Sequence, residues 1–588
     1  MKENAPENIQ YGEMGDQMSD TWSAQDRDEI LNDAMGRDYD LIIIGGGITG
    51  AGIARECALR GISFCLLDKN DFAFGTSSRS SKLFHGGLRY LASGDFKLVR
   101  ESTGERNWLR CHFPNLVRPL AFVYPSYTNT KATPLKVRLA VYLYSIISDW
   151  FSPFKNYKKG KFLKASRVKI LEPNVAMEDR DLGKMTMAGF YYDTNCDDAR
   201  VTLEMIKESL ESGGGRSSAL NYARVKGFIN DNNGPVRGVR VCDELSGDIF
   251  EIRGKCVVSA AGIWTDEVLC KGSYKDSKIY PTKGVHVVVP AARLGNQNAF
   301  SLVSLDDGRF FFVLRRGRVS LIGTTDTAYY PESDNLDEPW CTRHDCDYLL
   351  RTVNRVFPQA CLTDDDIIST FAGIRPLIRQ EGAKHESDVS RDHRIFQTED
   401  GIVAIAGGKS TTHRRMAEDL LFYLVERGLI EPFSEREYGK PGFSKQPFKI
   451  AITRDEFDAT VREKQLDGLA EPELLEHLYT QYGRGGLTIL EQIRENRQSG
   501  TPLLPGELHC RAEIEYIMKH EFAPKLCDIM CRRTEAQWTI SHKKQPELAE
   551  MVASIMAQYY SWNETKKAEE VSEYLTYVAK TVEFLKTK

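Results

Sequence analysis

The sequence predicts an α/β fold: a Rossmann-type domain, an inserted mixed β-sheet domain and an all-α C-terminal domain. Three observations carry this. A strand, glycine turn, helix and second strand follow one another from Tyr39, two later buried strands each run into a small-residue turn, and residues 449–588 place apolar residues at three and four spacing.

The first unit reads YDLIIIGGGITGAGIARECALRGISFCLLDKND. Gly45, Gly47 and Gly50 fit GxGxxG, and Asp68 lies eighteen residues beyond the third glycine. The first glycine makes the tight turn, the second lets a pyrophosphate approach, and the third lets helix pack on strand. The helix N-terminus then faces phosphates, and Asp68 accepts from a ribose hydroxyl.

This unit alone serves nicotinamide and flavin dinucleotides equally. GKCVVSAAGIWTDEV (254–268) is a second buried strand ending in the turn Ala260–Gly262, and GIVAIAGGKSTTHRRMAEDLL (401–421) is a third, with Gly407 and Gly408 opening a helix. In the glutathione-reductase-like fold FAD lies extended between such returning segments. The positive end of the last helix stabilises negative charge on the reduced flavin. A nicotinamide enzyme would finish its site earlier in the chain, so the expected cofactor is FAD.

The expected organisation is an acidic, disordered extension (1–38) and an oxidoreductase domain (39–437). In that domain the FAD-binding segments are 39–117, 186–270 and 365–430, and the substrate-domain segments are 118–185 and 271–364. A linker, YGKPGFSKQPF (438–448), and a helical domain (449–588) follow. KIYPTKGVHVVVP and RFFFVLRRGRVSLIGTT carry the β-branched and aromatic residues of the inserted sheet. The tail's periodicity is that of core packing, and it is assigned no chemistry.

Composition excludes several classes. A net charge of −5 gives no general pull toward nucleic acid, and thirteen cysteines without a CxxC pair or Cys/His spacing indicate no metal site. The first 38 residues lack the apolar stretch of a signal peptide and the Arg-rich, acid-poor character of a transit peptide. No uncharged apolar run reaches the ~18 residues that span a bilayer. Residues 131–164 hold eight Lys or Arg, one acid and an apolar-aromatic middle, a pattern that suits both an interfacial helix on anionic lipid and a half-buried helix with solvated ends.

One stretch is too polar for its surroundings. SSKLFHGGLRYL (80–91) packs two serines, Lys82, His85, a glycine pair, Arg89 and Tyr90 together, as a loop wrapped round a small anionic ligand would. Together with IIIGGGITGAGIA, YYDTNCDDARVTLEM, KGVHVVVP, LIGTTDTAY, FAGIRPL, SRDHRI and GGKSTTHRRMAE, it resembles the FAD-dependent glycerol-3-phosphate dehydrogenase family, in the family's order. EIEYIMKHEFAPKLCDIMCRRT in the tail resembles that family's C-terminal domain. One departure stands in KGVHVVVP, where Val285 replaces a serine before the histidine.

The resemblance implies noncovalent FAD held by Gly45, Gly47, Ile48, Thr49, Gly50, Asp68, Thr76, Ser77, Lys82, His85, Leu88, Ala261, Gly262, Gly407, Gly408, Lys409, Ser410 and Thr411. Arg89, Tyr90, Arg375, Arg391 and Lys409 would bind substrate, with Thr325 holding substrate or flavin. Guanidinium forks and an ammonium are the groups a phosphate dianion calls for. The implied reaction takes a hydride from C2 of glycerol 3-phosphate to flavin N5 while a base removes the hydroxyl proton, giving dihydroxyacetone phosphate. His286 matches the family's active-site histidine and is the first choice of base, titrating near neutrality as imidazoles do. Arg375, permanently charged, would stabilise the developing alkoxide, and His413 would cap the last helix.

Electrons would pass to a quinone from a peripheral position on the mitochondrial inner membrane or a bacterial cytoplasmic membrane, with a homodimer expected. Three alternatives remain: an oxidase reducing oxygen to peroxide, an amine-oxidising flavoprotein of the same fold, and a non-catalytic flavin-binding sensor. An amine oxidiser would not need the cation cluster, and a sensor would have lost Arg89, His286, Arg375 and Lys409, all of which are present.

Overall fold

The structure is a computed structural model describing residues 22–586 apart from 92–93, 151–153, 232–233, 275–277, 331–334, 380–391 and 434–445. Two sheets and a helical region build it. The first sheet runs His393–Gln397, Val403–Gly407, Ile249–Ser259, Asp38–Ile44, Phe64–Leu67, Ser218–Leu220, and the last five of these strands are mutually parallel. Their apolar runs are buried on both faces, as a parallel sheet between helices requires. Helices Ile48–Leu59, Asp198–Ser212 and His413–Glu426 pack with one another against it.

The second, eleven-stranded sheet is almost wholly antiparallel. Its centre is the long pairing of Ile279–Pro290 with Ser369–Ile378 and of Arg118–Tyr127 with Gly183–Asn195. This corrects two boundaries. Residues 186–195 and 369–378, expected in the FAD-binding segments, belong to the inserted sheet, because their hydrogen-bond partners are strands of that sheet. The pairing places Thr282 opposite Arg375 and His286 opposite Phe371.

The expected disorder through residue 38 is also corrected. A helix spans Arg27–Met35, and the first strand begins at Asp38. Arg27 is buried and bonds Asp243 Oδ1 at 2.7 Å and the Asn221 carbonyl at 2.8 Å, which ties the segment down. Residues 438–445 of the expected linker lie outside the described residues. Beyond it, helices Arg454–Glu463, Pro472–Tyr482, Arg484–Glu495, Arg511–His520, Gln545–Tyr560 and Glu564–Thr581 enclose their own apolar core. Among the described residues no helix is long and apolar enough to cross a membrane.

Candidate active site

The first strand ends at Ile44 and the chain turns at Gly45, whose φ of +112° only glycine adopts readily. A Cβ there would stand 2.5 Å from the Ala260 carbonyl oxygen, so the two turns that follow parallel strands can approach only through glycine. Gly50 lies against the Gly45 carbonyl, and lets the helix sit close rather than facing the cleft itself. Gly47 does face the cleft, and the Ile48 amide behind it donates to Ser77 Oγ at 2.9 Å. Asp68 accepts from the Gly46 and Asn70 amides at 2.6 and 2.9 Å, yet burial pushes its carboxyl up to about 6.

A cleft of about 1880 Å³, part of it open to solvent, runs from Asp68 past Gly45–Thr49 and Ala261–Gly262 to Gly407–Thr411. Thr76, Ser77, His85, Arg89, Tyr90, His286, Thr324, Arg375 and Lys409 also line it. Two buried polar atoms on its lining, Trp264 Nε1 and His286 Nδ1, have no hydrogen-bond partner among the described residues. A backbone cradle with positive-φ glycines at 45, 407 and 408 and unfilled polar atoms along its length fits an extended dinucleotide.

At the end of the cleft nearer the inserted sheet, three cations converge. Lys409 Nζ sits 3.9 Å from the Tyr90 ring centroid and donates to Ser102 Oγ at 3.2 Å. Arg89 lies 4.9 Å over the same ring and donates to the Tyr90 hydroxyl at 3.1 Å. Arg375 reaches in from its strand, donating to Asp326 Oδ1 at 2.9 Å, Thr324 Oγ1 at 3.0 Å and the Thr325 carbonyl at 2.9 Å. Burial holds the Arg375 guanidinium below its ordinary value; Asp326 opposes this, and the neighbouring Arg89 adds to it.

His286 is buried with its ring stacked on Phe371, centroids 4.7 Å apart and planes at 16°. Its Nε2 lies 2.9 Å from Ser81 Oγ. Burial, then the charges of Arg375 and Lys82, pull the imidazole down to about 3. The expectation that it titrates near neutrality is therefore corrected: the ring is neutral throughout the physiological range. His413 Nδ1 donates to the Ser410 carbonyl at 2.7 Å, at the start of its helix.

Three assigned positions lie elsewhere. Lys82 is buried off the cleft, its Nζ 2.6 Å from Asp198 and 2.8 Å from Glu535, so a counter-ion pair holds it away from any cofactor. Leu88 packs with Phe122 and Tyr191 around a small neighbouring cavity. Thr325 is buried and its hydroxyl accepts the Val285 amide at 3.0 Å; Thr324 lines the cleft instead. Arg391 lies outside the described residues. Sequence reading missed Ser81, Trp264, Phe312, Thr324 and Asp326, although Ser81 stands inside the stretch singled out for its polar density and Asp326 inside one that carries the family resemblance.

Fold and cleft define a flavin-dependent oxidoreductase. The FAD dependent oxidoreductase family profile matches residues 40–411, and that of the C-terminal domain of alpha-glycerophosphate oxidase matches 446–567. The chain is 34% identical over 529 residues to the aerobic glycerol-3-phosphate dehydrogenase of Staphylococcus haemolyticus, covering 89% of this chain and 91% of that one. The enzyme of the same name from Staphylococcus aureus is 34% identical over 551 residues, 91% and 94% of the two chains. The solved glycerol-3-phosphate dehydrogenase from Bacillus halodurans complexed with FAD superposes with a TM-score of 0.75 at 29% identity, over 96% of this chain and 99% of that one. L-alpha-glycerophosphate oxidase from Mycoplasma pneumoniae, at 16% identity and a TM-score of 0.53 over 70% and 98%, shares the fold. The chain is an FAD-dependent enzyme and belongs to the FAD-dependent glycerol-3-phosphate dehydrogenase family.

Proposed function

We propose that this enzyme oxidises glycerol 3-phosphate to dihydroxyacetone phosphate. The observation that carries the reading is the convergence of Arg89, Arg375 and Lys409 on one end of the cleft that His286 also lines. A phosphate dianion accepts bidentately from guanidinium and singly from ammonium, which matches this set of side chains. FAD, when bound along the glycine cradle, supplies the acceptor for the C2 hydride. His286, neutral and fixed by Ser81, takes the hydroxyl proton. The Arg375 fork, held by Asp326 and Thr324, would stabilise the negative charge that develops on that oxygen. The decisive experiment is anaerobic mixing of the purified yellow protein with glycerol 3-phosphate and, separately, glycerol. Bleaching by the phosphate ester alone is expected; a fully FAD-loaded protein that stays yellow ends the proposal.

A membrane surface and a quinone acceptor complete the reading. Helix Pro134–Trp150 leaves Leu135 77% exposed, and Leu139 and Tyr142 on the same side are more than half exposed. Apolar residues at that spacing, with Lys131, Lys136 and Arg138 close by in sequence, suit the interface of an anionic bilayer. Flotation with anionic but not neutral liposomes supports contact, and quinone reduction exceeding peroxide yield in air supports quinone over oxygen. The bacterial relatives favour a bacterial cytoplasmic membrane over a mitochondrial one.

A further inference from the structure

The C-terminal domain reaches the site from behind. Its π-helical turn Ile529–Arg533 delivers Glu535, at a φ of +57°, and the short helix Ala536–Thr539 into the space beneath the loop 76–82. Lys82, itself at a φ of +56°, is only 1% exposed and holds three oxygens: Ser78 carbonyl at 2.8 Å, Asp198 at 2.6 Å and Glu535 at 2.8 Å. The residue before it, Ser81, is the hydrogen-bond partner of His286. Trp538, whose ring lies 5.7 Å from Lys82 Nζ, also packs on Phe371, ring centroids 5.8 Å apart, and Phe371 is the ring on which His286 stacks. The same tail segment thus grips His286 twice, once through Lys82 and Ser81 and once through Phe371.

We propose that Glu535 and Trp538 are positioning residues for His286, so that the helical domain is part of the catalytic apparatus though none of its residues lines the cleft. A left-handed backbone at two non-glycine residues facing each other across an ion pair costs energy at both, and is kept where surrounding contacts over-determine it. A buried lysine that loses one of two carboxylates relaxes toward the remaining one. Here that is Asp198, at the N-terminus of helix Asp198–Ser212, and the shift carries Ser81 away from Nε2. The role of His286 as base rests on the function proposed above; its placement by Glu535 and Trp538 does not.

The experiment compares FAD-loaded wild type with Glu535→Gln, Trp538→Phe and, as a control at the same domain interface but outside both chains of contact to His286, Tyr222→Phe, which removes the 2.6 Å bond to Asp528. Carbethoxylation of His286, followed by mass spectrometry, reads its protection without turnover. Stopped-flow flavin reduction by glycerol 3-phosphate reads rate and affinity separately. Glu535→Gln and Trp538→Phe are each expected to raise the modification rate about tenfold and lower the limiting reduction rate about tenfold with substrate affinity unchanged. Tyr222→Phe should change neither. Wild-type protection and reduction in both variants overturns the proposal, as does an equal effect of all three substitutions. If Glu535→Gln does not fold, Trp538→Phe decides alone. Should wild type fail to reduce at all, the proposed substrate falls while the protection measurement still tests the positioning.

Discussion

A buried histidine serves as a base only while neutral, and His286 is held neutral by burial beside two cations. His286→Ala is expected to slow flavin reduction at saturating substrate by about 10²–10⁴-fold, the usual share of general base catalysis, measured by stopped flow. Its folded value of about 3 lies below the ordinary 6.5, so below pH 6.5 the unfolded chain takes up a proton that the folded chain refuses. His286 therefore lowers stability progressively as pH falls from 6.5 toward 3, and leaves it unchanged above 6.5. Denaturation midpoints of His286→Ala should accordingly lose less on acidification than those of wild type. Lys409→Ala, by contrast, removes one charged partner of the anion, a loss of about 1.5–3 kcal/mol. It should raise KM roughly ten- to a hundredfold and leave the oxidised flavin spectrum in place. Arg375→Lys keeps the charge but cannot span Asp326 and Thr324 together, so kcat should fall more than KM rises.

At the scale of elements, the glycine turn was legible because its requirements are local. Gly47 occupies the approach to the cradle, and a side chain there stands 3.0 Å from Ser77 Oγ before any cofactor arrives. Gly47→Val is expected to yield folded, colourless protein, checked by the FAD released on denaturation per mole of chain. The strands 186–195 and 369–378 were misassigned for the opposite reason. A buried run such as FAGIRPL declares a strand, but its sheet is chosen by a partner ninety residues away in sequence. Lys82 is displaced for the same reason: its place is set by Asp198 and Glu535, more than a hundred residues along the chain, whereas Lys409, beside its glycines, lines the cleft. Asp326 escaped notice because an acid in a phosphate site looks unfavourable until its guanidinium partner is known.

At the scale of the whole molecule, the helical domain and the nucleotide-binding domain are joined by buried charge rather than by a linker alone. Asp71, three residues beyond Asp68, is fully buried and bonds both Arg532 and Arg533 of the C-terminal domain. Against the cost of burial, Arg533 and Arg532 hold its carboxyl down to about 2. Arg200 bonds Glu521 nearby, and Tyr222 donates to Asp528. Removing Asp71 leaves the Arg533 guanidinium buried without its carboxylate and Arg532 with Asp528 alone, which is costlier than never having built the pair. Asp71→Asn should therefore destabilise the enzyme by about 3–5 kcal/mol in urea titration, and a conservative exposed change such as Glu473→Gln should fall within about 0.5 kcal/mol. The folded value lies below the ordinary carboxylate value, so this stability is present in full above pH 4 and lost as pH falls toward 2. In Asp71→Asn that acid-dependent loss should be largely gone. If both proteins unfold at one urea concentration at pH 7, the two domains are held by their apolar contacts and not by this network.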